Sequence, residues 1–138
     1  MSDEACSAPM LVVAALLIEN RRVLVSRRPS GKHFGGYWEF PGGKVERGED
    51  PRDALTRELE EELGLQVRIG AVEETVLDRR PKRDVLLLFY HCDRVEGSVP
   101  ERRQVQEWTW ASLGELRELL LPPADEIVIR NLEAFVDP

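Results

Sequence analysis

Residues 11–18 read LVVAALLI, eight apolar residues without a polar break, and no other stretch constrains the fold as tightly. The run is far too short for a membrane helix, which needs about 20 apolar residues. It also lacks the polar alternation of a strand with one wet face. It therefore predicts a strand buried on both faces, with a layer of structure on either side of its sheet. A second β-rich run, RVLVSRR at residues 22–28, follows after only Glu19, Asn20 and Arg21, the spacing of a hairpin. With 138 residues and 42% hydrophobic composition, the chain has enough for one core and too little for two. One domain over residues 1–138 is expected, with residues 1–9 as a flexible tail.

Residues 28–50 are rich in Gly, Pro and charge and read as loop, with a short strand at 37–40. A helix follows. Asp50 suits its N-cap, Pro51 the first helical position, Asp53 the first turn and Gly64 the end. Leu55, Leu59 and Leu63 recur every four residues and form its buried stripe. Residues 65–78, 84–92 and 105–110 read as strands. Ser112, three residues before Glu115, opens a further helix with a capping box. Residues 122–136 read as a closing helix with Val128, Leu132 and Phe135 inward. The order predicts an α/β fold, a sandwich with a mixed β-sheet between helices.

A formal charge of -7 argues against an electrostatic grip on nucleic acid or an anionic membrane. A small anionic ligand would need a cation beside it. Cys6 and Cys92 have no metal-ligand spacing and point to a reducing compartment. The acidic first residues lack the basic flank of a signal peptide, so a soluble, cytoplasmic protein is expected. His33 and His91 have no partner pattern and read as structural or exposed. Trp38, Trp108 and Trp110 read as core.

The stretch RELEEELGL at residues 57–65 is harder to explain by folding alone. Like charges three or four apart on a helix repel by about 0.2–0.5 kcal/mol per pair. Glu58 lies three residues before Glu61 and four before Glu62, so the three share one face, away from the leucine stripe. Such an all-oxygen cluster suits a hard divalent cation, Mg2+ or Mn2+, which turns repulsion into shared attraction. The alternative is a solvated, self-repelling face. Upstream glycines let backbone carbonyls approach a ligand closely.

The flanking spacing decides between the two. Gly43, five residues, Glu49, seven residues and then residues 57–65 match G-x5-E-x7-R-E-U-x-E-E-x-G-U, with U aliphatic. This resembles the signature of the Nudix hydrolase family at every defining position. Seven fixed and two aliphatic positions make a chance match well under about one in a million, so the pattern carries the resemblance by itself. EFPGGK at 39–44, Arg27-Arg28, the Trp110-Ala111-Ser112-Leu113 segment and PPAD at 122–125 are similar to the MutT-like branch, and the likeness covers residues 11–135.

The resemblance implies a Nudix α/β/α sandwich with a mixed β-sheet. It also implies Mg2+-dependent hydrolysis of a nucleoside triphosphate such as 8-oxo-dGTP to the monophosphate and pyrophosphate. It makes Glu58, Glu61 and Glu62 the catalytic, metal-binding carboxylates and Glu58 the general base. The Gly42 carbonyl and Glu39 stand near the metal. Gly43, Glu49, Arg57 and Gly64 take structural roles, with Arg57 paired to Glu49. Arg28, Phe40, Lys44, Arg83 and Asp125 fall at substrate-binding positions. For Lys44 the alternative is an ordinary surface lysine, and for Phe40 it is core packing. Glu60 is expected in solvent, and the partner is a small-molecule nucleotide met by a monomer or a dimer.

Three positions depart from the branch. Asp125 stands where the branch carries an asparagine that reads oxidised guanine. An ionised aspartate only accepts hydrogen bonds, which also suits the exocyclic amine of cytosine. CTP or modified-dCTP pyrophosphohydrolase is therefore the second reading, and a non-catalytic nucleotide-binding Nudix domain the third. Gln104 stands where the branch often places another catalytic glutamate, with Glu101 and Glu107 as nearby substitutes. Lys82 and Arg83 replace an Asp-Arg pair of the pocket and keep the arginine.

Overall fold

The computed structural model describes residues 8–31 and 34–138. Cys6, His33 and residues 1–7 of the expected tail lie outside the described residues, and Ala8 and Pro9 are exposed coil. The expected hairpin forms from β1 (Met10–Glu19) and β2 (Arg22–Arg27), with Glu19 opposite Arg22. Its two-residue turn has positive φ at both positions, 51° at Asn20 and 58° at Arg21, as a type I′ turn requires. Arginine is poorly suited to that conformation. The far end of the chain holds it there, because the Asp137 amide donates to the Arg21 carbonyl and the Asp137 carboxylate pairs with the Arg21 guanidinium.

Residues 13–17 of β1 are buried without interruption, and they serve two cores. Ala14 and Leu16 face one with Val23 and Val25, while Val13, Ala15 and Leu17 face the other with Leu24. Alternation across a pleated strand makes an all-apolar run useful only when both faces are covered. Cover on one side comes from α1 (Pro51–Leu63). On the other side lie α2 (Leu113–Glu118), α3 (Pro123–Ile129) and a 3-10 turn (Arg130–Ala134).

The remaining strands are β3 (Trp38–Glu39), β4 (Gly42–Lys44), β5 (Val67–Asp78), β6 (Val85–Arg94) and β7 (Glu107–Ala111). β1 pairs in parallel with β6 along one edge, and β5 lies antiparallel beyond β6. The other edge of β1 is shared: its first half pairs with β4 and its end with β2, both antiparallel. β2 in turn carries β3 and β7. The sheet is mixed, as expected. β4 is a strand that the Gly-Gly-Lys sequence does not announce, because its pairing partner is β1, not a neighbour in sequence.

α1 follows its sequence signals closely. The Asp50 side chain accepts from the Arg52 amide at 2.8 Å, Pro51 opens the helix and Gly64 closes it in the left-handed conformation, φ 61°. Leu55, Leu59 and Leu63 are fully buried. Each contributes about 1.5–3 kcal/mol, which outweighs the glutamate repulsion several-fold. The closing helix departs from expectation. Val128 and Leu132 are buried, but Phe135 is 41% exposed and Val136 takes the buried position. The helix tightens at Arg130 and ends at Ala134, and the Val136 amide donates to the Leu132 carbonyl at 2.8 Å, which turns Val136 inward. The Phe135 ring meets His91 instead, at 5.0 Å between centroids.

Candidate active site

A cleft of about 560 Å³ opens where β2 and β4 part along β1. It is lined by Arg28 and Pro29 after β2, Glu39 of β3, Gly42, Gly43 and Lys44 of β4, Glu58 and Glu62 of α1, and Gln104 and Val105 before β7. Seven of the sequence candidates thus converge. Glu61 lies outside that lining, and Arg83 stands apart, its Nε donating to the Ala8 carbonyl at 3.1 Å.

Arg57 organises the glutamate face. Its Nε and Nη2 grip the two oxygens of Glu49 at 2.9 and 3.0 Å, and Nη2 also reaches the Lys44 carbonyl at 3.1 Å. Nη1 donates to Glu58 at 3.1 Å and Glu61 at 3.3 Å. One guanidinium therefore binds the β4 loop to the helix and also steadies two of the three carboxylates. This bidentate fork holds the Glu49 carboxyl down to about 2, and Arg57 itself is pushed up.

The two glycines of β4 have separate reasons. A Cβ at Gly42 would stand 1.9 Å from the Val13 carbonyl of β1, so only glycine permits the strand pairing. A Cβ at Gly43 would stand 2.4 Å from Cδ of Glu58, so glycine makes room for that carboxylate. The Gly42 amide donates to Glu62 at 3.2 Å.

Burial and mutual repulsion make the carboxylates of the cleft unfavourable to ionise. Burial, with Glu39 and Glu58 close by, pushes the Glu62 carboxyl up to about 9. Burial also raises Glu58 and Glu39 against the opposing pull of Arg57 and Arg28 respectively. Arg28 donates to both oxygens of Glu39, at 3.1 and 3.3 Å. Among the described residues no three His, Cys, Asp or Glu side chains already converge as a finished metal cage. Arg57 holds Glu58 and Glu61, and the Gly42 amide holds Glu62. The donor chemistry still fits a hard divalent ion. The set is all oxygen, and a cation would relieve the repulsion that raises Glu62.

Asp125, on α3, is 5% exposed, interacts electrostatically with Glu39 and does not line the cleft. Burial and Glu39 raise its carboxyl well above the usual range, with only the Phe40 amide favouring the charge. Its Oδ2 is the one buried side-chain polar atom without a hydrogen-bond partner among the described residues. Phe40 is 3% exposed, its ring edge-on to Phe89 at 6.1 Å, so the structure gives it core packing. Glu60 is exposed, as expected, and pairs there with Arg103 at 3.1 Å. His91 is half-buried and pairs with Glu73 at 2.7 Å. No local spacing could have revealed either contact, since both join distant segments. Cys92 is a buried free thiol, pushed up to about 12 by burial. Among the described residues no helix is long and apolar enough to cross a membrane.

Residues 8–132 match the NUDIX domain family. The chain is 36% identical to the 8-oxo-dGTP diphosphatase of Escherichia coli (strain K12), over 89% of this chain and 95% of that one. It is also 36% identical to the CTP pyrophosphohydrolase of the same organism, over 91% and 90%. The solution structure of the E. coli ORF135 protein superposes with a TM-score of 0.80 and 31% identity, covering 94% of this chain and 92% of that one. The chain belongs to the Nudix hydrolases, in their MutT-like branch, and is an enzyme acting on phosphoanhydride bonds.

Proposed function

We propose that the protein is a Mg2+-dependent nucleoside triphosphate pyrophosphohydrolase that takes 8-oxo-dGTP to the monophosphate and pyrophosphate. The observation that carries this reading is the complete glutamate face beside the cleft, with Glu62 pushed up to about 9. Glu58, Glu61, Glu62, Glu39 and the Gly42 carbonyl would hold the ion, and Mn2+ would serve in its place. The bound ion would neutralise phosphate charge and lower the pKa of water. Glu58 accepts the proton of the attacking water, its carboxylate kept in place by Arg57 and by the space at Gly43. Lys44 and Arg28 line the cleft where they can meet phosphate oxygens. Arg83 does not line the cleft, and its Nε donates instead to the Ala8 carbonyl.

The likeness to an 8-oxo-dGTP diphosphatase favours the oxidised guanine. Burial, with Glu39 close by, raises the Asp125 carboxyl well above the usual carboxylate range and so favours its protonated form, which offers one O–H donor beside one acceptor, as asparagine does. The likeness to a CTP pyrophosphohydrolase keeps cytidine nucleotides as the second reading. The test is steady-state kinetics with Mg2+ on 8-oxo-dGTP, dGTP, CTP and 5-methyl-dCTP. The highest kcat/KM is expected for 8-oxo-dGTP, and a higher value for either cytidine compound would overturn that choice. We further propose one domain acting on free nucleotides in the cytoplasm.

A further inference from the structure

The loop before β7 is fastened to the end of α1. The Glu101 amide donates to the Leu63 carbonyl at 2.7 Å, and the Arg103 and Gln104 amides share the Glu62 carbonyl at 3.2 and 3.0 Å. Past them, the Gln106 amide donates to the Arg27 carbonyl of β2 at 2.9 Å. The loop thus bridges α1 and β2, and Gln104 and Val105 line the cleft between them.

The Arg103 side chain closes this joint. Its Nε donates to Glu101 at 3.0 Å, and Nη1 donates to the Glu60 carboxylate at 3.1 Å and the Glu60 carbonyl at 3.4 Å. The guanidinium rests against Gly64, where a Cβ would stand 2.6 Å from Nε. α1 ends on Glu60, Glu61 and Glu62 with no basic residue in its last turn, negative charge at the negative end of the helix dipole. Arg103 supplies the missing cation from 43 residues away. A single exposed ion pair contributes little. Here two carboxylates, a carbonyl and a glycine floor fix one planar group.

We propose that Arg103 is a positioning residue acting through Gln104. Clasped by Glu60, Glu101 and Gly64, it holds the 101–106 loop on α1 so that the Gln104 carboxamide binds the phosphate chain of the nucleotide. This rests on the nucleotide triphosphate reading above. A carboxamide cannot take a proton from water, but its N–H groups can donate to phosphate oxygens, so the position serves binding. Glu60, the variable position of the motif, gains a task by this route.

Arg103→Ala, Arg103→Lys, Glu60→Gln, Gln104→Ala and the Arg103→Ala/Gln104→Ala pair are compared with the unmodified protein in kinetics on 8-oxo-dGTP and CTP with Mg2+. Amide hydrogen exchange is followed without nucleotide. Arg103→Ala is expected to raise KM about fivefold with kcat within about twofold, the pattern of a lost ground-state contact. Glu60→Gln moves the same way by less, and Arg103→Lys recovers part of the loss. The double variant is no worse than Gln104→Ala alone, because the two act in series. A lowered melting temperature with unchanged KM, or fully additive effects, would overturn the inference. Should the unmodified protein turn over no nucleotide, the functional reading fails on its own. The exchange rates then decide the clasp: faster exchange of the Gln104 amide in Arg103→Ala upholds it, and unchanged exchange overturns it.

Discussion

At the glutamate end of the cleft, Gly42, Gly43, Glu49, Arg57, Glu58 and Glu62 come from one uninterrupted stretch, β4 to the end of α1. At the other end Arg28 follows β2 and Glu39 lies on β3, while Phe40 and the Asp125 of α3 are buried outside the cleft lining, and the four meet only through the tertiary fold. The first end is held by a charged fork and by missing side chains, the second by burial. This contrast predicts that the same kind of substitution will have opposite consequences at the two ends.

The largest effect is expected at Glu58. Glu58→Gln keeps the size of the side chain and removes its proton-accepting charge, so kcat/KM should fall about a thousandfold. The melting temperature should stay within a few degrees, because a buried amide costs less than a buried, repelled carboxylate. Mg2+-dependent release of pyrophosphate measures the first and calorimetry the second. A variant retaining a tenth of the activity would remove Glu58 from the chemistry.

The paired glycines separate catalysis from folding within two residues. Gly42→Ala drives a methyl group against the Val13 carbonyl, which cannot retreat without breaking the β1–β4 pairing. It should destabilise by about 2–4 kcal/mol. Gly43→Ala meets only the end of the Glu58 side chain, which can swing away. Its melting temperature should hold while kcat drops about a hundredfold, the usual scale for a catalytic group misplaced by about 1 Å. Equal loss of stability in both would show that the Gly43 strand position, not the Glu58 carboxylate, demands glycine.

How legible each end was in sequence follows from the same contrast. The glutamate end could be read because helix spacing converts i, i+3 and i+4 directly into one face, and because Arg57 and Glu49 lie within reach of that helix. β4 itself could not, since its glycines have no strand preference and its partner β1 lies about 30 residues away. Asp125 could be found as a candidate but not as a buried carboxyl raised above its usual range, because that shift comes first from burial and then from Glu39, which only the tertiary fold supplies. Arg83 shows the opposite failure: it kept its place in the sequence pattern, yet the fold sends it to the Ala8 carbonyl.

At Asp125 burial favours the protonated carboxyl, and Asp125→Asn supplies the same donor and acceptor, so 8-oxo-dGTP turnover should change by no more than about threefold. Alkali ionises a carboxyl but not a carboxamide, so kcat/KM of the unmodified protein should decline with rising pH while the asparagine variant holds. Tenfold loss on 8-oxo-dGTP with CTP turnover intact would mean that the site works with an ionised aspartate.

The smallest effect concerns stability, and its sign distinguishes repulsion from simple exposure. Glu62 stands at about 9 in the fold against about 4.3 in an unfolded chain. Below the lower value both states carry the proton, and this contribution to stability is fully present. Above it the unfolded chain ionises first, so the contribution is lost as pH climbs towards about 9. With EDTA the melting temperature should therefore fall by several degrees between pH 5 and pH 9. Glu58 and Glu39 are raised too and act in the same direction, so Glu62→Gln should flatten the slope without removing it. Mg2+ should act with the opposite trend, stabilising more as pH rises, because the ion binds the ionised carboxylates. A slope untouched by Glu62→Gln would assign the repulsion to the other carboxylates of the cleft.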